Sequence, residues 1–255
     1  MPVTAVTGSA SGIGAAVCNL LKQAGHRIIG IDRADADVSA DLSTAAGRQA
    51  AVEQVLTLCE GKLDGLICCA GVGVTAPSSA IVIGVNYFGV TALVDGLQEA
   101  LSKGNNPAAL IIGSVAANQQ LGNPDPMVAA MLDGDEANAL ELANQGPGPH
   151  IAYAASKYAV TAFARRKAVT WGKQGIRLNV VAPGAVETPL HQASMDDPRF
   201  GEAVKNFVAP LGRAGTPDEI AKTVAFLQSE QASFIHGSVF FIDGGMDAMM
   251  RADHF

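Results

Sequence analysis

Residues 3–14 read Val3-Thr4-Ala5-Val6-Thr7-Gly8-Ser9-Ala10-Ser11-Gly12-Ile13-Gly14. A β-favouring run passes straight into a glycine turn and then into a helical pattern. A glycine turn after a strand lets the backbone approach a pyrophosphate closely. The helix N-terminus then presents unpaired N–H groups and a positive dipole end to the phosphate charge. The spacing is GxxxGxG, not the commoner GxGxxG, so the signal lies in its setting, with a strand before it and a helix after it.

The next strand, Arg27–Asp32, ends on an acid 24 residues after Gly8. A carboxylate there accepts hydrogen bonds from the adenosine ribose hydroxyls and repels a 2′-phosphate, which favours NAD over NADP. Arg33 beside it is read as a solvated loop cation, although a guanidinium can also pair with that phosphate.

Further along, short apolar runs alternate with longer periodic ones, the pattern of βαβ units around a parallel sheet. The expected strands are Val3–Thr7, Arg27–Asp32, Leu63–Ala70, Ala108–Ser114, Ile176–Ala182 and Ser238–Ile242. Helices are expected near 13–24, 44–60, 80–102, 154–173 and 217–228, with Gly25, Gly61, Gly104 and Gly175 as left-handed caps beyond four of them. A strand near 37–40 has room only to be short or irregular. Residues 115–152 form an insertion in which Asp125-Pro126 reads as an N-cap followed by Pro at the first position of an extra helix.

Tyr153-Ala154-Ala155-Ser156-Lys157 opens a long predicted helix, and the four-residue spacing puts phenol and ammonium on one face. A neighbouring Lys charge and an oxidised nicotinamide would favour the phenolate and suit Tyr153 to base chemistry. Ser114, at a strand end, projects into the crevice beyond the carboxyl ends of the sheet, where it can bond a substrate oxygen. Asn86 lies in an apolar helical pattern; its amide needs partners, either structural or through a water chain to Lys157.

The segments TGSASGIG, CCAG, VNYFG, the Ser114 strand end, YAASK and PGAVETPL follow the order of the short-chain dehydrogenase/reductase family. The chain resembles that family over nearly its whole length. The resemblance implies a single-domain Rossmann-type α/β fold over residues 1–255, with a doubly wound parallel sheet of six or seven strands and helices on both faces. It implies catalysis by Ser114, Tyr153 and Lys157, supported by Asn86. It also implies that Gly8, Ser11, Gly12 and Ile13 approach the pyrophosphate, Asp41 and Leu42 the adenine, and Gly71 the ribose. Asp32, Tyr153 and Lys157 would also contact the cofactor, and Val186 and Thr188 its carboxamide. One departure is Cys68-Cys69, where the family usually carries two asparagines. The stretch GIDRADADVSADLST, the insertion after Ser114, and IDGGMDAMMR look most like a branch of bacterial hydroxysteroid dehydrogenases that also reduce carbonyls. That likeness implies NAD(H)-dependent interconversion of a steroid 3α-hydroxyl and its ketone.

The alternatives are a reductase of 3-ketoacyl thioesters or a diol dehydrogenase, and, from another class, a non-catalytic nucleotide sensor. A sensor has no need of Ser114, Tyr153 and Lys157 together. No GxSxG elbow and no histidine pair at ligand spacing is present, so hydrolase and metal readings are set aside. Residues 187–213, mixed in polarity, read as a substrate flap.

Composition bounds the rest. The chain has 255 residues, 49% of them apolar, and a net charge of −7. The expectation is a cytoplasmic protein without nucleic-acid or membrane partners, its four cysteines reduced and its N-terminus mature sequence. Five of the excess negative charges (Asp125, Asp133, Asp135, Glu136, Glu141) belong to the insertion, which holds no Lys or Arg. The insertion lies between two helices through which family members commonly pair. A homodimer through the last helix and strand is therefore expected, with Met246, Met249, Met250 and Phe255 making an apolar tail.

Overall fold

The computed structural model describes residues 1–253; Phe255 of the expected apolar tail lies outside the described residues. Seven strands form one parallel sheet: β1 (Val3–Thr7), β2 (Arg27–Asp32), β3 (Val38–Ser39), β4 (Gly65–Cys68), β5 (Ala108–Ile112), β6 (Arg177–Pro183) and β7 (Val239–Ile242). Their order is β3-β2-β1-β4-β5-β6-β7, so the chain reverses its direction of travel between β1 and β4. In open parallel sheets the crevice at that switch point, outside the carboxyl ends, is where ligands bind. Strands β4, β5 and β6 are buried throughout, as the apolar runs of β4 and β5 require.

Helices α1 (Gly12–Gln23), α2 (Ala45–Leu58), α3 (Ser79–Ile83), α4 (Val90–Gly96), α5 (Gln98–Ser102), α6 (Pro126–Leu132), α7 (Glu136–Gln145) and α8 (Pro149–Trp171) precede β6. Helices α9 (Pro189–Asp196), α10 (Gly201–Asn206), α11 (Pro217–Gln228) and α12 (Met246–Met250) follow it. One face of the sheet buries Val55, Leu93, Val160 and Trp171 with α2, α4 and α8; the other buries Val17, Leu21, Ile220 and Val224 of α1 and α11.

The expected helix over 80–102 is broken into α3, a π-helical turn Gly84–Gly89, α4 and α5. Its segment Ser79–Gly96 has a mean hydropathy of 1.4 and is long enough to cross a membrane, but 61% of it is buried inside the protein. Helix α8 begins at Pro149, so Tyr153 stands one turn inside it and does not open it. Strand β5 ends at Ile112, and Ser114 lies just past it as the N-cap of a 3-10 turn, Val115–Gln120. The insertion holds two helices, not one. Asp125 caps α6 by accepting from the Met127 N–H at 3.0 Å, as the sequence predicts. Gly134, at φ +75, then stops it, and Asp135 caps α7. Both pack on α8 or α3, covering that helix face. Gly25, Gly61 and Gly175 adopt positive φ, but Gly104 does not. A Cβ on Gly104 would fall 2.1 Å from the Leu63 carbonyl oxygen, so this glycine serves close approach of two chain segments.

Candidate active site

A cavity of about 490 Å³ opens at the carboxyl ends of the strands. Gly8, Ser11, Gly12, Ile13, Asp32, Asp41, Leu42, Gly71, Ser114, Tyr153, Lys157, Val186 and Thr188 all line it, as the sequence leads one to expect. Asn86 does not; it stands behind the wall.

The β1–α1 turn makes a cradle in this cavity. Gly8 has φ +66, and a Cβ there would meet the Ala70 nitrogen at 2.9 Å; a Cβ on Gly14 would fall 2.0 Å from the Gly8 oxygen. Only glycine lets the turn close so tightly on the helix. Ser11 is the N-cap of α1, and its hydroxyl makes no capping bond, so the helix start faces the cavity with free donors. Asp32 accepts from the Ala10 N–H at 3.0 Å and from the Arg33 N–H at 2.7 Å, which fixes its carboxylate at the cavity edge. Asp41 accepts from both the amide and the hydroxyl of Ser43, and these bonds hold its carboxyl below the usual carboxylate range.

Ser114, Tyr153 and Lys157 converge on the same cavity. The Ser114 hydroxyl accepts from the Ala116 N–H at 3.1 Å. Lys157 is buried; its Nζ donates to the Ile112 carbonyl at 2.8 Å and lies 5.8 Å from the Tyr153 ring centroid. The expected lowering of the phenol by Lys157 is not found. Burial pushes Tyr153 above its ordinary value of 10, with hydrogen bonding to Ser114 pulling the other way. Burial brings Lys157 down to about 8, against the opposing influence of Cys69 and Cys68.

Asn86 has the structural partners its buried amide needs. Its Oδ1 accepts from the Val72 N–H at 2.9 Å, and its Nδ2 donates to the Val72 carbonyl and the Ser156 hydroxyl. It therefore fixes the 71–73 turn. Cys68 and Cys69 leave that turn intact, because the Ala70 N–H donates to Thr7 Oγ1 at 2.9 Å. Burial pushes the Cys68 thiol up to about 12, so it stays neutral.

Apart from Leu190, an apolar residue of the flap segment, the outer wall carries no individual signal in the sequence. Leu190, His191 and Ser194 of α9 and Val204 of α10 line the cavity opposite Val74, Ile81 and Val85. Thr188 comes within contact of Gly12, and Leu190 packs against Gly73, so the start of α9 bridges both sides. Burial lowers His191, which favours its neutral form. A flap of mixed polarity was legible; which of its side chains face inward was not.

A family model described as short chain dehydrogenase matches residues 2–125, and one described as enoyl-(acyl carrier protein) reductase matches 138–247. The 3-alpha-hydroxysteroid dehydrogenase/carbonyl reductase of Comamonas testosteroni is 47% identical over 257 aligned residues, covering 100% of both chains. The chain belongs to the short-chain dehydrogenase/reductase family. It is an oxidoreductase acting on a small molecule. The 3-alpha-hydroxysteroid dehydrogenase of Pseudomonas sp. B-0831, solved in complex with NADH, superposes with a TM-score of 0.98 at 64% identity, covering 99% of this chain and 100% of that one. A D-threitol dehydrogenase of Mycolicibacterium smegmatis is 32% identical over 95% of this chain and 92% of its own. The cradle and the Ser114–Tyr153–Lys157 group line one cavity.

Proposed function

We propose that this protein is an NAD(H)-dependent enzyme that interconverts the 3α-hydroxyl and 3-keto groups of steroids and reduces other carbonyls. The observation that carries the reading is the full-length likeness to two hydroxysteroid dehydrogenases, one solved with NADH. The cavity fits such a cofactor: a Cβ would fill the cradle at Gly8 and Gly14, and Asp32 waits at the ribose end. A nicotinamide held there would supply the hydride acceptor or donor. The Tyr153 phenol gives its proton to the carbonyl oxygen in reduction and takes it back from the hydroxyl in oxidation. Ser114 orients that oxygen, and Lys157 supports the phenol and holds the cofactor. Asn86 acts as a support, through Val72 and Ser156. Gly12, Ser11 and Ile13 hold the pyrophosphate, Asp41 and Leu42 the adenine, Gly71 the ribose side, and Val186 and Thr188 the carboxamide. Residues 187–213 close over the site and exclude water.

Purified protein mixed with NAD and androsterone is expected to produce the near-ultraviolet absorbance of NADH. Silence with androsterone, together with turnover of acetoacetyl thioesters, would replace the steroid reading. A basic approach for an acidic carrier protein is weakly represented. Arg165-Arg166-Lys167 is the only basic run in the sequence, and Lys167 is already paired with Asp95.

The pH dependence follows from the direction of the Tyr153 shift. A phenol held above its ordinary value is protonated at neutral pH, ready to donate. Ketone reduction is thus expected to hold through neutral pH and to fall as pH rises through the phenol's titration. Alcohol oxidation is expected to climb over the same alkaline range. Initial rates measured in both directions check this, and parallel profiles would contradict it.

Asp32 sets cofactor choice in this reading. Asp32→Ser is expected to raise kcat/KM for NADPH relative to NADH by about tenfold or more, with Arg33 freed to meet the 2′-phosphate. An unchanged ratio would remove Asp32 from that role.

The same reading makes the protein a cytoplasmic homodimer without membrane or nucleic-acid partners. Residues 1–255 form one catalytic domain with the insertion at 115–152. Helices α6 and α7 cover one helix face, while β7 is an edge strand and Phe226 and Phe234 are exposed. Sedimentation as a tetramer would contradict this assembly.

A further inference from the structure

The insertion reaches the adenine end of the cavity through a single cation. Arg48, in the first turns of α2, is 5% exposed. Its Nη2 donates to both carboxylate oxygens of Glu136, each at 2.7 Å, and its Nη1 donates to the Ser43 carbonyl at 3.5 Å. The guanidinium also sits 5.8 Å from the Phe88 ring centroid. Glu136 belongs to the first turn of α7, where the helix dipole favours a carboxylate.

Ser43 closes the loop Asp41-Leu42-Ser43, all three residues of which line the cavity. That loop follows a strand of only two residues, so the sheet does little to hold it. Its Asp41 carboxylate is turned inward on Ser43, and Leu42 packs where Gly89 of the π-helical turn leaves room. The guanidinium ties it to an element 88 residues along the chain. Without Glu136 the cation is buried and uncompensated. It must then move toward solvent or toward other acceptors, and Ser43 moves with it.

We infer that Arg48 and Glu136 are positioning residues for the adenine half of the cofactor, the acidic insertion holding loop 41–43 in place through the guanidinium. The inference rests on the reading of this cavity as an NAD(H) site. Neither side chain touches the reacting groups, so the effect falls on cofactor affinity and not on the chemical step.

The test uses the full chain. NADH affinity is read from nucleotide fluorescence, ADP-ribose affinity by competition, and kcat and ketone KM at saturating NADH. Glu136→Ala and Arg48→Met are each expected to weaken both NADH and ADP-ribose about tenfold, and the double variant no more than the worse single one. The ketone KM and kcat are expected to stay within about twofold of the original. Arg48→Lys keeps the charge but not the planar fork and is expected to remain weakened. Should Arg48→Met fail to fold, Glu136→Gln carries the same comparison at nearly constant volume. A folded variant with unaltered NADH and ADP-ribose affinity overturns the inference, even if its melting temperature falls. If the unsubstituted protein takes up no NADH, the cofactor reading itself fails and this inference falls with it. If it binds and the variants match it, only this inference is lost.

Discussion

Tyr153→Phe is expected to lower turnover in both directions by about a thousandfold or more, the range associated with losing a positioned proton donor and acceptor. The substitution removes one oxygen from a ring whose position is fixed by the cavity wall, one turn from Lys157 on the same helix. The cradle, Asp32 and loop 41–43 belong to other elements of the cavity wall and phenylalanine keeps the ring, so NADH affinity is expected to change by less than about threefold. The two readouts divide the roles. Turnover retained within about tenfold would remove Tyr153 from the proton path. A matching loss of NADH binding would show that the ring holds the cofactor instead.

Arg177→Met is expected to have the largest effect on stability. Arg177, at the start of β6, is 6% exposed and has no carboxylate partner among the described residues. Its guanidinium donates to the carbonyls of Leu227, Ala232, Ser229 and Gln228 at 2.6, 3.1, 3.2 and 3.3 Å. These carbonyls belong to the last turn of α11 and the segment after it, where helix carbonyls lack intrahelical donors and the dipole end is negative. Methionine fills much of the volume but leaves these acceptors buried and unmatched. A loss of about 3 kcal/mol is expected, lowering the melting temperature by roughly 6–12 °C. Arg177→Lys is expected to fall between the two, since one ammonium cannot span four acceptors. A thermal melt checks this, and a shift of about a degree would mean that water replaces the guanidinium at little cost.

Much of this was legible in the sequence because it was local. The β1–α1 cradle needs glycines at fixed places on a continuous stretch, and the YxxxK spacing is a property of one helix. Asp32 marks a strand end. What escaped was set by packing between distant segments. Gly104 looks like a helix cap until the Leu63 carbonyl is seen against it. The partners of Asn86, Val72 and Ser156, are likewise set by distant segments and carry no mark in its own sequence neighbourhood. The expectation that Lys157 lowers Tyr153 used their spacing correctly. It lacked the burial of the phenol itself, which is set by packing around it and raises its pKa. The split of the insertion into α6 and α7 was hidden because Gly134 sits between two acids that read equally well as helix surface.

The brevity of β3 has a consequence for solution behaviour. A sheet edge can recruit foreign strands only where several successive amides and carbonyls are free, and β3 offers two residues. The opposite border, β7, runs over four residues with Phe240 and Phe241 only partly covered. Strand-to-strand recruitment is therefore open on one side of the molecule alone. Two copies meeting there through a two-fold axis would turn only the blunt β3 borders outward, and a sheet extended in that way has nowhere further to grow.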